Sequence, residues 1–462
     1  MIDFSIYAAR RKKVLDAMLA RTGGGVAIVH TAPEVVRNGN SEHAYRHDSS
    51  FYYLTGFTEP EATLVLLANA DGSAQSILFC RAKNAEREIW DGYRYGPDAA
   101  CAAFGFTAAY PSDALSTAMP VLLANQPAVY YKVADNAATD AAMQGWLDTI
   151  RAQARSGQTP PLQAIDIRLI VDEMRLVKSA PELDIMRQAG KISAAAHVRA
   201  MQFTRPGVAE YQIEAEMLHT FRMAGAAAPA YTSIVATGAN SCVLHYRAGK
   251  AVCGANDMVL IDAACEYEGY ASDITRAFPA NGVFSPEQKA VYEIVLAAQT
   301  AAVSVLRAGA GYNDYHVAAT RVLAQGMVDL GFLTGSVDSV IESGKHQQFY
   351  MHKTGHWLGM DVHDCGDYRD PNVLSQRDAE GKPIARPFRT LQAGMVMTVE
   401  PGFYIRPADN VPPAFWNIGV RIEDDAIITP TGCELMTRGV PVAVAEIEAI
   451  MKAGREAREG RS

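Results

Sequence analysis

The sequence predicts an α+β domain preceded by a smaller α/β domain, and three observations carry that expectation. The chain has 462 residues, 49% hydrophobic and 20% charged, with 36 Gly and 22 Pro, an ordinary globular composition that excludes collagen-like, disordered and small stapled scaffolds. At about 150 residues per domain the length calls for about three domains or two larger ones. In the first third of the chain short apolar runs alternate with helical stretches, whereas further on long helical patterns bracket paired strands. The second arrangement is α+β rather than doubly wound.

Residues 5–21 have helical character, and Gly23-Gly24-Gly25 leads into the apolar strand Val26–Val29. Ala62–Ala68, the turn Asn69-Ala70-Asp71-Gly72 and Gln75–Cys80 read as a β-hairpin. Val121–Ala124 and Val129–Tyr131 continue the mixed pattern, and Ser156, Gly157 and Pro160-Pro161 make 152–161 the best linker or surface loop. Ser179-Ala180-Pro181-Glu182 has the form of a helix start, with Ser179 as N-cap and Glu182 at the third helical position. Helical patterns follow at 181–202, 208–224 and 286–306, and strand runs at 232–236, 257–263, 272–278, 395–399 and 419–428. The expected division is an N-terminal α/β domain over 1–175, an α+β domain over 176–445 and a charged tail over 446–462.

The 42 Lys and Arg against 51 Asp and Glu leave a net charge of -9, so the field of the whole protein repels phosphate backbones and nucleic acid is not an expected partner. Seven cysteines at 80, 101, 242, 253, 265, 365 and 433 form no CxxC pair, which fits a reducing compartment. The N-terminus MIDFSIYAARRKKVL lacks a signal-peptide apolar core, and no charge-free apolar run is long enough to span a bilayer. A cytoplasmic protein with no membrane partner is expected.

Acids interrupt the most apolar strands. Met258-Val259-Leu260-Ile261-Asp262 ends in a carboxylate, and Asp273 follows at an odd separation that would put the two on opposite faces of one straight strand. A hairpin turning near Tyr267-Glu268 instead sets them opposite each other. Like charges facing across a partly buried sheet are unfavourable unless a cation or a proton intervenes. The pattern recurs where Met395-Val396-Met397-Thr398-Val399 ends in Glu400, and the return strand Gly419–Glu423 sets Glu423 opposite Glu400 if the chain turns around Val411-Pro412.

A histidine ligand is available in the segment His352–Asp364. His352 and His356 have the spacing of the zincin HExxH pattern, but Lys353 stands where the general-base Glu would be, so zincin chemistry is disfavoured. One imidazole with four carboxylates is an oxygen-rich set, and bridging carboxylates hold two divalent ions about 3.5–4 Å apart. Mn2+ fits best, with Co2+, Zn2+ or Fe2+ as alternatives. Singly, each residue has an ordinary reading: Asp262 as a strand-end acid, Asp273 as a partner of Arg276, Glu423 as a partner of Arg421. Five together demand a ligand.

The ordered segments IDAACEYEGYASDITR, HKTGHWLGMDVHD, MTVEPGFYI and GVRIEDD closely resemble the creatinase-like, or pita-bread, metalloenzymes over about residues 176–440. That family includes methionine aminopeptidase, prolidase, creatinase and Xaa-Pro aminopeptidase. Asn40-Ser41-Glu42, Tyr45–Phe57, Glu59-Pro60-Glu61-Ala62 and Arg87-Glu88-Ile89-Trp90-Asp91-Gly92 are similar to the N-terminal region of bacterial-type aminopeptidase P.

The resemblance implies a C-terminal pita-bread catalytic domain behind a creatinase-type N-terminal domain. It also implies removal of the first residue from peptides with proline second, by a hydroxide bridging two Mn2+ ions per subunit. By the same likeness Asp262 is a terminal ligand of the first metal, Asp273 and Glu423 bridge, and His356 and Glu400 complete the second. His245, His352 and His363 line the pocket and assist proton movement or hydrogen bonding, and Arg421 offsets the carboxylates. Glu400 also takes the proton of the water toward the leaving proline nitrogen, while His363 or His245 stabilises the oxyanion.

Tyr404 and Trp90 are expected substrate walls, Trp90 near a neighbouring subunit's site, which implies a homo-dimer or homo-tetramer. Prolidase, with the same dinuclear site but a dipeptide substrate, is the alternative. A creatinase-type amidinohydrolase or a metal-free peptide-binding pseudoenzyme fits less well, because all five ligand types are in place. The long polar segment between Asp364 and Leu391 either folds over the cleft and limits peptide length or is a surface insertion. Cys265 has no expected reactive role.

Overall fold

The computed structural model describes residues 5–460, and the chain divides into two compact units, Met1–Arg175 and Leu176–Ser462. The first is built on a six-stranded sheet in the spatial order Ala108–Pro111, Ala74–Cys80, Thr63–Ala68, Gly25–His30, Ala128–Tyr131, Gln163–Asp166. Thr63–Ala68 pairs antiparallel with both of its neighbours, and the other three pairs are parallel. Alternate strand residues, among them Val26, Ile28, Val65, Leu67, Ile77 and Phe79, share one core with Met119 and Leu123 of helix Leu115–Leu123 and Met143, Trp146 and Ile150 of helix Ala137–Ala152. The glycine run before the first strand has a steric reason: a side chain at Gly24 or Gly25 would collide with the carbonyls of Ala68 or Ala128.

Two stretches of this unit take a definite form. Val121–Ala124 is not a strand, since most of it lies in the last turn of helix Leu115–Leu123. Of the two expected readings of 152–161 the surface loop holds, because Gln163–Asp166 returns to pair with Ala128–Tyr131 inside the unit.

The second unit wraps helices Ala180–Phe203, Glu210–Met223, Pro286–Val305 and Asp314–Asp329 around strands that carry one large core. Val235, Val259, Ile261, Phe278, Met397, Val399 and Val420 of the strands meet Ile192, Met217, Phe221, Val291 and Val295 of the helices. The first helix starts with the expected capping box, in which Glu182 Oε2 accepts from the Ser179 backbone N–H at 2.9 Å. No helix of the described residues is long and apolar enough to cross a membrane.

The expected charged tail is a correction. Val444–Glu459 is a helix whose Ile447 and Met451 enter the large core, and Gly454 has no side chain to collide with Gln202 of helix Ala180–Phe203. An apolar stripe among the charges of this segment is what makes it pack. Residues 1–4 and 461–462, the ends of the first and third expected segments, lie outside the described residues.

Candidate metal centre

Two hairpins of the second unit open into a cavity of about 750 Å3. In the first, Met258–Asp262 pairs antiparallel with Thr275–Pro279, and Asp262 lies opposite Thr275. This corrects the expectation that Asp262 faces Asp273 across a simple hairpin. A second, smaller hairpin, Cys265–Tyr267 with Tyr270–Ala271, takes up the turn at Glu268 and Gly269, both with positive φ. Asp273 leaves the ladder there and its backbone N–H donates to Asp425 Oδ2 at 3.0 Å. The two acids still meet: the Tyr231 hydroxyl lies 2.6 Å from Asp262 Oδ1 and 2.5 Å from Asp273 Oδ1.

In the second hairpin the ladders Val396–Val399 with Asp424–Ile428 and Gly402–Ile405 with Ile418–Arg421 follow one register. Continued across the gap between them, that register sets Glu400 across from Glu423, where the interruption frees both side chains. The long connection after Ile405 contains Val411-Pro412, as the pattern required.

His356 is delivered by the irregular segment after Tyr350. Its backbone N–H donates to Thr398 Oγ1 at 3.1 Å, and a side chain at the preceding Gly355 would collide with Thr398. His356 Nδ1 donates to the Trp357 carbonyl at 2.9 Å, which fixes the tautomer and leaves Nε2 as the free donor atom. Nε2 lies 3.5 Å from Asp273 Oδ2 and 3.7 Å from Glu400 Oε1. Asp273, His356 and Glu423 offer ligand atoms within 4.8 Å of one another, with Asp262 and Glu400 beside them.

The electrostatics say what such a group needs. Burial, which the charges of His356 and Arg421 only partly offset and the acids Asp273 and Asp262 reinforce, pushes the Glu400 carboxyl up to about 7. Burial and the acids Asp273, Glu400 and Asp262 raise Glu423 well above the carboxylate range. Burial works against a charged His356, yet Asp273 and Glu400 raise it to about 9. The cluster draws in positive charge, and four carboxylates with one correctly presented imidazole fit a pair of divalent cations.

Arg421 ties the hairpins together. Its buried guanidinium donates from Nη2 to Asp262 Oδ2 at 2.6 Å, from Nη1 to the Tyr404 hydroxyl at 2.8 Å and from Nε to Thr275 Oγ1 at 3.0 Å. Thr275 in turn donates to Glu423 Oε2 at 2.6 Å. Tyr404 is therefore misplaced as a substrate wall: it is 1% exposed and stands behind the pocket, its hydroxyl 2.8 Å from His352 Nε2. Burial and the neighbouring Arg421 pull His352 down to about 3, which keeps it neutral. His245, His352 and His363 all line the cavity, His363 with its ring centroid 4.0 Å from that of His356.

The apolar wall is Tyr231, Leu244, Tyr312, Tyr368 and Phe388, none of them among the sequence candidates. Trp90, on helix Ala85–Asp91 of the first unit, is 83% exposed. Thr275 was within reach of sequence reasoning, since it follows Asp273 by two positions in a strand pattern. Tyr231 was not, because it lies outside every acid-bearing motif. Cys265 is buried, with Sγ directed at the Ala189 carbonyl, and takes no part.

Comparison with known proteins agrees with this geometry. Residues 184–430 match the model of metallopeptidase family M24, and residues 7–130 match the aminopeptidase P N-terminal domain. The pita-bread catalytic unit and its ligand cluster thus define a metal-dependent peptidase. The chain is 41% identical to the Xaa-Pro aminopeptidase of Escherichia coli (strain K12), covering 97% of this chain and 98% of that protein. It is also 41% identical to the Haemophilus influenzae Xaa-Pro aminopeptidase, covering 96% of each. Among solved structures, Pseudomonas aeruginosa aminopeptidase PepP superposes with a TM-score of 0.92 at 46% identity, over 98% of this chain and 99% of that one. Aminopeptidase P from E. coli with the inhibitor Pro-Leu superposes with a TM-score of 0.91 at 41% identity, over 98% and 99%. The chain belongs to the Xaa-Pro aminopeptidases of metallopeptidase family M24.

Proposed function

We propose that this chain hydrolyses the N-terminal Xaa-Pro bond of peptides with two divalent metal ions, manganese first, held by Asp262, Asp273, His356, Glu400 and Glu423. The observation that carries this reading is the meeting of these five side chains in one cavity with His245, His352 and His363. Asp273, His356 and Glu423, whose ligand atoms lie within 4.8 Å of one another, would hold the ions together with Asp262 and Glu400. When bound, the ions supply an activated water and a Lewis acid for the scissile carbonyl.

The chain's own residues do the rest. Glu400, whose carboxyl burial lifts to about 7, accepts a proton and returns it to the leaving nitrogen. That return is essential, because the proline nitrogen must gain a proton to leave as an amine. His245 and His363 donate to the developing oxyanion. Neutral His352, backed by Tyr404 and Arg421, holds the substrate side of the cavity. The aromatic wall receives the proline ring. The protein works in the cytoplasm as a homo-dimer or homo-tetramer, in which exposed Trp90 meets the peptide in a neighbouring subunit's cavity; Trp90→Ala raises KM in steady-state kinetics if so.

The test is to incubate Mn2+-loaded protein with an unblocked Xaa-Pro-Xaa tripeptide beside its Xaa-Pro dipeptide and identify the products by mass. Release of the first residue from the tripeptide is the expected result. Cleavage confined to the dipeptide replaces this reading with prolidase, and cleavage of neither by protein carrying two metals per chain overturns it.

A further inference from the structure

We infer that Glu210, a residue outside the cavity, is the positioning residue for the wall that carries His245. The inference rests on the substrate-side role proposed for His245. Glu210 opens helix Glu210–Met223 and is 0% exposed. Its carboxylate accepts four hydrogen bonds: from the Thr237 backbone N–H at 2.9 Å and Asn240 Nδ2 at 3.0 Å on Oε1, and from the Tyr246 hydroxyl at 2.9 Å and the Gly249 backbone N–H at 3.0 Å on Oε2.

An acid in the first turn of a helix ordinarily serves that helix. Here the cap is supplied elsewhere, by Gln212, whose Oε1 accepts from the Ala209 backbone N–H at 3.0 Å. The four bonds of Glu210 all go to residues 237–249, gripping that segment at both ends. Between the grips lie Leu244, His245, Tyr246 and Arg247, four consecutive residues that line the cavity. They have no regular secondary structure, so no ladder fixes them. Leu244 and Tyr246 pack on Ile234, Leu260 and Tyr404, while His245 is exposed to the cavity. One buried carboxylate therefore does for this segment what a strand pairing does elsewhere, and a shift of about 1 Å at a catalytic group costs up to about 100-fold in rate.

The test uses Glu210→Gln in the full-length, Mn2+-loaded chain. The amide keeps one accepting oxygen but sets an NH2 group against a backbone N–H on the other side, so one grip is lost. Hydrogen–deuterium exchange is expected to quicken over 237–249, with kcat/KM for a Xaa-Pro-Xaa tripeptide falling about 10- to 100-fold, mostly in kcat. In a His245→Ala background the same substitution is expected to change kcat/KM by less than about twofold, because the two act through one group.

Tyr246→Phe, which removes one of the four donors, is expected to give a smaller loss in the same direction and serves if Glu210→Gln does not fold. Unchanged exchange over 237–249, activity within twofold of the parent, or an undiminished effect in the His245→Ala background overturns the inference. Failure of the parent to cleave the tripeptide overturns the functional reading instead, and the exchange measurement, made without substrate, still decides whether Glu210 holds the segment.

Discussion

The two acid-bearing hairpins do the same job by different means. In the second, Glu400 and Glu423 face each other because one register runs through both ladders. In the first, the ladder opens at Asp262, a smaller hairpin intervenes, and Asp262 and Asp273 are brought together by the Tyr231 hydroxyl. Their supports differ as well. Gln299 Nε2 lies 3.3 and 3.2 Å from the carbonyls of Val399 and Ile422, the residues just before the two glutamates. The first hairpin rests on His197, whose Nε2 is 2.9 Å from the Ala263 carbonyl, just after Asp262. Register alone suffices to converge charges where the chain is a plain hairpin; where it is not, side chains from other segments must do it.

Breaking the second hairpin's pair gives the largest effect. Glu400→Gln is expected to lower kcat about 10²- to 10⁴-fold, the range for losing a group that transfers protons in the transition state, as measured by steady-state hydrolysis of a tripeptide. Next comes the contrast between supports. Tyr231→Phe removes the hydroxyl shared by the first pair and should weaken Mn2+ affinity about 10- to 100-fold by calorimetry. Thr275→Val, which strips one hydrogen bond from Glu423, should do less; an equal or larger loss would erase the distinction between the hairpins.

A pH experiment sharpens the comparison further. His197 is fully buried, and burial followed by Arg276 pulls it down from 6.5 to about 4. Between these values the unfolded chain binds the proton and the folded one does not. Stability is therefore full above about pH 6.5 and falls as the pH drops to 4, by about 3 kcal/mol from this group. In urea unfolding, wild type should lose that much more than His197→Gln across the window, while Gln299, which does not titrate, gives the second hairpin no such sensitivity.

The smallest effect is expected at 371–386, the exposed arm whose roots carry Tyr368 and Phe388. Replacing it with a short turn should leave tripeptide kcat/KM within about twofold, and a larger change would show that the arm reaches the peptide.

Much of this was legible in the sequence because acids at the ends of apolar strands conflict with burial, and a conflict of that kind points to a ligand. Asp262, Asp273, Glu400 and Glu423 carry that signal, and the hairpin rule placed Glu400 across from Glu423. The rule failed for Asp262 and Asp273 because it assumed one turn where the chain makes two, and the residue that repairs the geometry, Tyr231, precedes the hairpin by many positions. Tyr404 was misjudged for a related reason: an aromatic next to a ligand motif reads as a substrate wall until the structure shows its hydroxyl engaged by Arg421 and His352. The helix Val444–Glu459 was hidden by its charge, which masks a narrow apolar stripe.

That last helix has a consequence for biosynthesis. Its Ile447 and Met451 fill a core shared with the helix that begins at Ala180, so the second unit cannot close until residues 444–459 have left the ribosome. The first unit, complete by Arg175, is able to fold while synthesis continues. A stop codon ahead of Ile447 would therefore yield a product with a finished first unit and an exposed apolar seam in the second, a substrate for quality-control proteases rather than a slightly shorter enzyme.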